Sequence, residues 1–303
     1  MKTVRPYIYV LVVLAMVFWG MSFVWTTIVF DYLGPLSVVF VRLVISSALL
    51  LLGLRIANQL IIPDRKDMKL FFASAFFNPF LYFLGESFGV KFSSPTISSV
   101  IIATIPVFSL LAAFIFLKER LSKLNILGMA ISFFGILIML FNRNLSLSTS
   151  PLGIVCLLFA VFAAIGYSVT LKNLSSKYSA FVIVAYQNLI GAVLFAPLAL
   201  TFEMDYFYQL RFDTRFLTSL LFLAILASSL AFVFYAISTR EMGVSRTNIF
   251  SNFIPVFTAI FSFFVIGEVL TLQKIAGIVV VIFGVVLSQW HTAKSVRYNK
   301  VHE

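Results

Sequence analysis

Two opposite charges, Arg42 and Glu86, stand alone in long apolar stretches. Arg42 lies in "PLSVVFVRLVISS" and Glu86 lies in "YFLGESFGVK". A lone charge at membrane depth is costly and usually faces a cavity or a partner. A buried ion pair can be either formed or broken, because it separates when the protein around it opens and exposes both charges to water. Glu86 could also carry a proton, so proton coupling is one chemistry to consider.

The two charges are predicted to lie at similar depth. Counting from Pro35, Arg42 is roughly 10 Å into its helix, and counting from Phe92, Glu86 is roughly 9 Å into its own. We therefore hypothesise that they pair or line the same outer vestibule. The alternative is that Arg42 extends to the lipid headgroups and Glu86 pairs with Lys91, and that neither charge has a functional role.

The composition places these charges in a membrane protein. Of the 303 residues, 61% are apolar and only 11% are charged, and the mean hydropathy is +1.07. An ordinary soluble domain is about 45–50% apolar and 25% charged. The net charge of +11 is better explained by basic cytoplasmic loops than by a nucleic-acid partner. The composition therefore predicts a polytopic, all-α membrane protein.

The sequence offers no recognisable metal or nucleotide chemistry. The single cysteine, Cys156, lies in an apolar run, and the two histidines, His291 and His302, lie in the C-terminal tail. These residues cannot supply the ligand set of a zinc site. No phosphate-binding GxxxxGK[ST] loop is present. We expect no cofactor and no metal.

Ten segments are long and apolar enough to cross a bilayer, which takes about 20 such residues. The first follows Lys2 and Arg5 like a signal sequence, but its apolar run is longer, and we interpret it as an uncleaved helix. The predicted segments are 7–30, 35–56, 69–90, 94–117, 123–141, 151–171, 178–201, 215–238, 244–266 and 271–290.

The basic residues predict the orientation. Of the 22 lysines and arginines, sixteen fall on the side that holds both termini, and Arg42 lies inside a helix. Because cytoplasmic loops are enriched in basic residues, both termini are predicted to be cytoplasmic. The expected location is the cytoplasmic (inner) membrane, crossed many times. The five basic residues on the other side are Lys91, Arg143, Arg211, Arg215 and Lys274.

The chain contains an internal repeat with an offset of 149 residues. The stretch "IPVFSLLAAFIFLKERLSKLNILGMAISFFGILIML" begins at Ile105, and "IPVFTAIFSFFVIGEVLTLQKIAGIVVVIFGVVLSQ" begins at Ile254. Five helices per repeat is an odd number, so the second repeat is predicted to insert inverted. Inverted repeats are typical of secondary transporters with a binding site at the repeat interface. The aligned pairs are Pro106 and Pro255, Glu119 and Glu268, Gly128 and Gly277, and Gly135 and Gly284.

The predicted organisation is a first repeat over 7–141, a second over 151–290 and a basic cytoplasmic tail over 291–303. Glu119 and Glu268, at helix ends, are expected to make caps and loop contacts. The matched glycines should allow close helix packing.

These residues resemble the EamA-type members of the drug/metabolite transporter superfamily. The resemblance covers about residues 7–290 and is carried by "WGMSF" from Trp19, "FVR" ending at Arg42, and the two "IPVF" stretches with their Glu and Gly residues. It implies ten helices in two inverted repeats, alternating access, and export of amino acids or related metabolites. It also implies a central cavity between helices 1, 3, 4, 6, 8 and 9.

The repeats differ at the charged positions. Arg42 corresponds by approximate alignment to Gln187, and Glu86 corresponds to Tyr235 at the 149-residue offset. We therefore hypothesise an ionic gate at the outer end of the pathway and a neutral polar gate at the inner end.

Further residues at membrane depth are candidates for the transport pathway. Trp19 and Phe23 share one face of helix 1, and an aromatic pocket with few polar anchors suits a neutral, zwitterionic or amphipathic solute. The alternative is that the polar residues hydrogen-bond between helices. The polar candidates are Asn78, Tyr82, Thr104, Tyr167, Ser228, Ser229, Asn248 and Asn252.

Prolines inside predicted helices should kink them, because each removes a backbone hydrogen bond. Pro79, Pro106 and Pro255 are candidates for kinks along the pathway, and Pro197 is interpreted as a structural kink. A secondary transporter of small organic metabolites is the predicted function. A channel is an alternative, and a membrane-embedded enzyme is disfavoured because no Ser/His or His/Asp arrangement lies at membrane depth.

Overall fold

Ten helices long and apolar enough to span a membrane make up the computed structural model, which describes residues 5–117, 122–141 and 147–299. This confirms the predicted all-α, ten-helix membrane fold. The helices, named α1 to α10 here, are α1 Pro6–Val29, α2 Pro35–Ile56, α3 Arg65–Lys91, α4, α5 Lys123–Leu140, α6 Pro151–Ser175, α7 Ala180–Phe202, α8 Thr214–Met242, α9 and α10 Leu272–Asn299. Helix α4 has two segments, Pro95–Ile102 and Ile105–Leu117. Helix α9 has three segments, Val244–Phe250, Ser251–Phe253 and Ile254–Ile266.

Local sequence explains where the helices begin and end. Pro6, Pro35, Pro95 and Pro151 each stand at the first position of a helix, where proline's missing N–H costs nothing. Gly267 ends α9 with a φ of +67°, a left-handed conformation that favours glycine. α10 continues to Asn299, past the predicted end at 290, since no glycine or proline interrupts the sequence there.

Three helices are interrupted near the middle. In α3, Asn78 has the non-helical angles φ −148° and ψ 118°, immediately before Pro79. α4 breaks at Ala103 and Thr104, so Pro106 is the second residue of its second half. α9 has the equivalent break before Pro255. Pro197, in contrast, lies within the uninterrupted helix α7.

The largest helix–helix contact joins the last helices of the two repeats, α5 and α10. A Cβ atom added at Gly284 would lie 2.7 Å from the carbonyl oxygen of Gly128, and one added at Gly277 would lie 3.1 Å from that of Gly135. Gly277 is the repeat equivalent of Gly128, as Gly284 is of Gly135. Each contact is therefore the repeat-related copy of the other, as an inverted two-fold arrangement requires. Glu119 lies outside the described residues.

Polar contacts join the repeats near both ends of the bundle. The Glu203 carboxylate accepts hydrogen bonds from the backbone N–H groups of Leu36 and Ser37, at 3.2 and 2.8 Å, at the start of α2. This cap uses donors that the helix itself leaves unsatisfied. At the end that holds the chain termini, called the terminal side below, Lys177 forms an ion pair with Asp67 at 2.6 Å.

We expect Gly128→Ala to destabilise the protein by about 1–3 kcal/mol, because the added methyl group overlaps the backbone of α10. The matched control is Gly53→Ala in α2, where nothing lies within 4 Å of the added atom. Alanine is the better helix former by roughly 1 kcal/mol, so the control should not lower stability. Melting temperatures in detergent measure both changes, and equal losses in the two variants would contradict the close packing.

Candidate functional site

A single continuous cavity between the two repeats brings most of the candidate residues together. Its open space, which continues into solvent, is about 740 Å³. All six helices expected from the family resemblance contribute, and α2 adds Arg42. Nine candidates line the cavity: Trp19, Phe23, Arg42, Asn78, Tyr82, Glu86, Tyr167, Tyr235 and Asn248.

Five other polar candidates do not line the cavity: Thr104, Gln187, Ser228, Ser229 and Asn252. The Gln187 side chain donates to Ser74 Oγ at 2.6 Å, which joins α7 to α3. The hydroxyl of Thr104 and the amide of Asn252 donate to carbonyl oxygens of their own helices. Ser229 hydrogen-bonds Ser46 of α2. The contacts of Gln187 and Ser229 match the alternative in which polar residues hydrogen-bond between helices, whereas those of Thr104 and Asn252 stay within their own helices.

Ser229 belongs to a polar cluster between α2, α7 and α8. Its hydroxyl donates to the carbonyl oxygen of Ala224 at 2.8 Å and lies 2.6 Å from Ser46 Oγ. The Asn188 amide donates to Ser46 Oγ at 2.7 Å and to the Ser228 carbonyl at 2.8 Å. The cluster pairs the Ser229 hydroxyl and the Ser228 carbonyl away from the cavity, whereas the buried Ser228 hydroxyl has no hydrogen-bond partner among the described residues.

The charged residues of the cavity, Arg42 and Glu86, do not form the direct ion pair that the sequence suggested. The Arg42 guanidinium carbon lies 3.8 Å from the centre of the Phe83 ring. Glu86 accepts a hydrogen bond of 2.9 Å from the Tyr82 hydroxyl, one helical turn away. Among the described residues, neither forms an ion pair within 4.0 Å. They therefore line one cavity without direct pairing.

The alternative reading of these charges does not fit the geometry. Arg42 is only 2% exposed, so it does not extend to the membrane surface. Lys91 is exposed at the end of α3 and, within the described part of the chain, makes no ion pair with Glu86. Both charges are held inside the protein.

Aromatic rings form the wall between the two repeats. The Trp19 ring lies 5.0 Å from Phe232 and 5.2 Å from Tyr235, measured between centres, and Phe83 lies 6.1 Å from Phe232. The Tyr235 hydroxyl donates to Asn248 Oδ1 at 2.5 Å. Tyr235 thus lies in the same cavity as the two charges, whereas Gln187 does not, so the two residues do not form one separate inner gate in this conformation.

Several lining residues were missed by the sequence reasoning. Phe83 follows Tyr82 directly, Phe232 precedes Tyr235 by three residues, and Ser251 follows Asn248 by three. Neighbours at this spacing share a helix face, which is the signal that could have found the last two. The remaining missed residues include Ser22 and Ser168.

The cavity opens toward the terminal side. Ser168, Asn248 and Ser251 line it and stay partly exposed, and each lies in the half of its helix nearer that side. At the opposite end, residues 95–104 of α4 are all buried. The Thr258 hydroxyl on α9 lies 3.0 Å from the Gly20 carbonyl of α1 and closes the bundle further.

Glu268 reinforces the closed end. It follows the left-handed turn after α9 and accepts hydrogen bonds from Thr96 Oγ1 at 2.8 Å and Lys274 Nζ at 2.9 Å. The contact with Thr96 links the second repeat to the start of α4 in the first. Burial alone would raise the pKa of Glu268, but the hydrogen bonds from Lys274 and Thr96 outweigh it and hold the pKa below its usual range.

A ten-helix bundle with repeat-related contacts and a central cavity open at one end is typical of polytopic membrane transporters built from inverted repeats. The profile of the EamA-like transporter family matches this sequence twice, over residues 6–141 and 151–290. The chain therefore belongs to the EamA-like transporter family, within the drug/metabolite transporter superfamily, as the resemblance predicted.

Individual relatives agree with this assignment. An uncharacterized transporter of Archaeoglobus fulgidus is 25% identical over 281 residues, which cover 91% of this chain and 96% of the relative. The uncharacterized transporter YdfC of Bacillus subtilis is 28% identical, with 80% and 78% covered. One crystal structure superposes with a TM-score of 0.69 at 14% identity, covering 94% of this chain and 98% of the other, and supports the fold.

Replacing Glu268 with glutamine should lower the melting temperature by about 2–4 °C at pH 7, as a loss of roughly 1 kcal/mol would. A carboxyl group whose pKa is lowered by folding stabilises the protein above its unfolded pKa, and this stability is lost as the pH falls. The difference from wild type should therefore shrink below about pH 4.3. Glu241→Gln, at an exposed position, is the matched control. A difference independent of pH would contradict the charged contact.

Proposed function

We propose that the protein is a secondary transporter that moves small organic metabolites, such as amino acids or related solutes, out of the cell by alternating access. The observation that carries this proposal is the cavity between the repeats, which reaches solvent at one end, is closed at the other and holds two buried charges. A solute in this cavity is accessible from one side of the membrane at a time.

A comparison of the two repeats indicates what the second conformation of the proposed cycle would be. Residues 95–104 of α4 are fully buried, whereas most residues of the equivalent stretch 246–253 in α9 remain partly exposed. The two stretches are related by the 149-residue offset and pack with different tightness. If the repeats exchanged these two arrangements, the cavity would close at the terminal side and open at the opposite end.

The proposed direction of transport depends on how the protein is oriented in the membrane. The basic residues favour a cytoplasmic terminal side in a cytoplasmic membrane, and the cavity is open toward that side. This conformation accepts solute from the cytoplasm, which is the loading step of an exporter. Glu86, a carboxylate inside the cavity, is the residue that could couple transport to protons.

Reconstituted protein should catalyse saturable counterflow of its solute. Purified protein in proteoliposomes loaded with unlabelled amino acids is tested for uptake of the same labelled amino acid against empty-vesicle controls. Uptake should saturate and should depend on internal solute, because a cavity closed at one end carries a limited number of molecules per cycle. Flux that rises linearly with concentration, together with electrical conductance, would indicate a channel instead.

Cysteine labelling tests the orientation. In a Cys156→Ala background, a cysteine at Gln59, in the exposed loop on the terminal side, should react with an impermeant maleimide only after the cells are opened. A cysteine at Asp31, exposed at the opposite end, should react in intact cells. The reverse pattern would place the termini outside and refute the proposed direction.

A further inference from the structure

We propose that Ser109 and Gly166 form the contact that closes the cavity at the terminal side, and that it replaces a contact between Thr258 and Gly20 when the opposite end opens. This inference rests on the proposed function and deepens it, because it assigns the residues that close each end. The two pairs are repeat-related, and the structure shows a hydrogen bond in one of them and not in the other.

The contact at the closed end joins α1 to α9 through a glycine. The Thr258 hydroxyl lies 3.0 Å from the carbonyl oxygen of Gly20 and 2.9 Å from that of Ile254 in its own helix. Thr258 and Gly20 are both buried. A Cβ atom added at Gly20 would lie 2.7 Å from the Cβ of Phe257 and 3.2 Å from the Ile254 oxygen. The glycine therefore allows the two helices to approach this closely.

Both residues have counterparts in the other repeat. Thr258 is the fifth residue of "IPVFT", and Ser109 is the fifth residue of the matching "IPVFS". Gly20 lies nine residues before the end of α1, Gly166 lies nine residues before the end of α6, and a serine follows two residues after each glycine. Because α1 and α9 end at the closed end whereas α4 and α6 end at the terminal side, the counterparts lie in the opposite half of the bundle.

The counterparts do not make the equivalent contact in this conformation. The Ser109 hydroxyl donates to the Ile105 oxygen of its own helix at 2.8 Å and, among the described residues, makes no hydrogen bond to Gly166. The atoms nearest to a Cβ atom added at Gly166 belong to the Phe77 ring of α3 and not to α4. Ser109 and Gly166 are also partly exposed, unlike the buried pair at the closed end. The terminal side thus has the residues of a closing contact without the contact itself.

Another repeat-related contact is formed at both ends. Tyr178, just before α7, donates to Asp67 Oδ2 at 2.9 Å on the terminal side. Tyr32, just before α2, donates to Asp213 Oδ2 at 2.6 Å at the closed end. A contact formed at both ends is kept when the repeats exchange arrangements, because each copy takes the place of the other. A contact formed at one end only, such as that of Thr258, must break there and form at the other end.

Cysteine reporters in purified full-length protein, placed in lipid nanodiscs, test this exchange. In a Cys156→Ala background, Ser251→Cys reports on the terminal side, where Ser251 is partly exposed and lines the cavity. Ser99→Cys reports on the closed end, because Ser99 is buried and its counterpart at the 149-residue offset, Asn248, is partly exposed in the open part of the cavity. The rate of reaction with a maleimide measures how often each end is open.

Variants of the two contacts should shift the rates in opposite directions. Thr258→Val keeps the shape and removes the hydroxyl, so Ser99→Cys should react about 5-fold faster, the effect of one lost hydrogen bond. Ser109→Ala weakens the alternative conformation, so Ser99→Cys should react about 5-fold more slowly. Ser251→Cys should not react faster in Thr258→Val, whereas a general loosening of the fold would raise both rates.

Two matched controls isolate the hydroxyl of Thr258. Thr258→Ser keeps this hydroxyl and should react as wild type does. Tyr32→Phe removes a hydrogen bond that has a copy at each end and should change neither rate.

The proposal fails if Thr258→Val leaves the Ser99→Cys rate unchanged, if Ser109→Ala does not lower it, or if Thr258→Ser behaves like Thr258→Val. Counterflow in proteoliposomes separates this failure from that of the proposed function. Saturable counterflow with unchanged rates refutes the assigned closing residues alone. The expected rates without saturable counterflow support the closing contacts and refute transport.

Discussion

The structure depends on one constraint: a polar group inside a bilayer has no water to bind, so it must find a partner in the protein or in a wet cavity. The Ser46, Asn188 and Ser229 cluster meets this constraint by hydrogen bonds between helices. Arg42 and Glu86 meet it differently, since both face the cavity. The same rule thus separates residues that hold the helices together from residues that a solute can reach.

The helices pack closely at the interface of α5 and α10 and less closely around the cavity. α5 and α10 meet through repeat-related glycines, at distances that leave no room for a side chain. In the proposed alternating-access movement, this contact would act as a fixed axis for the two repeats. The broken helices α4 and α9 lie at the cavity, and their interruptions near Pro106 and Pro255 let each half pack independently. A firm repeat interface and segmented helices at the cavity are the features on which the proposed movement, opening one end and closing the other, would depend.

The sequence predicts the helices and their duplication because both produce clear patterns in it. Twenty apolar residues are needed to cross a bilayer, and the repeat preserves proline, glutamate and glycine at one offset. It does not predict which side of each helix faces the cavity, because the spanning helices are apolar on every side. Ser229 and Asn248 look equivalent in the sequence, yet one braces α2 against α8 and the other lines the cavity. Phe83 carries no signal at all among so many phenylalanines.

The two repeats share a scaffold but not their chemistry. The backbone of the second repeat offers the same positions as the first, yet Gln187 and Tyr235 stand where the first repeat has Arg42 and Glu86. A fully symmetric cavity would present equivalent groups to both membrane faces, and a solute could bind in either of two orientations. Placing both charges in one repeat removes that degeneracy. A dipolar solute would then keep one orientation relative to α2 and α3, whichever end of the cavity is open.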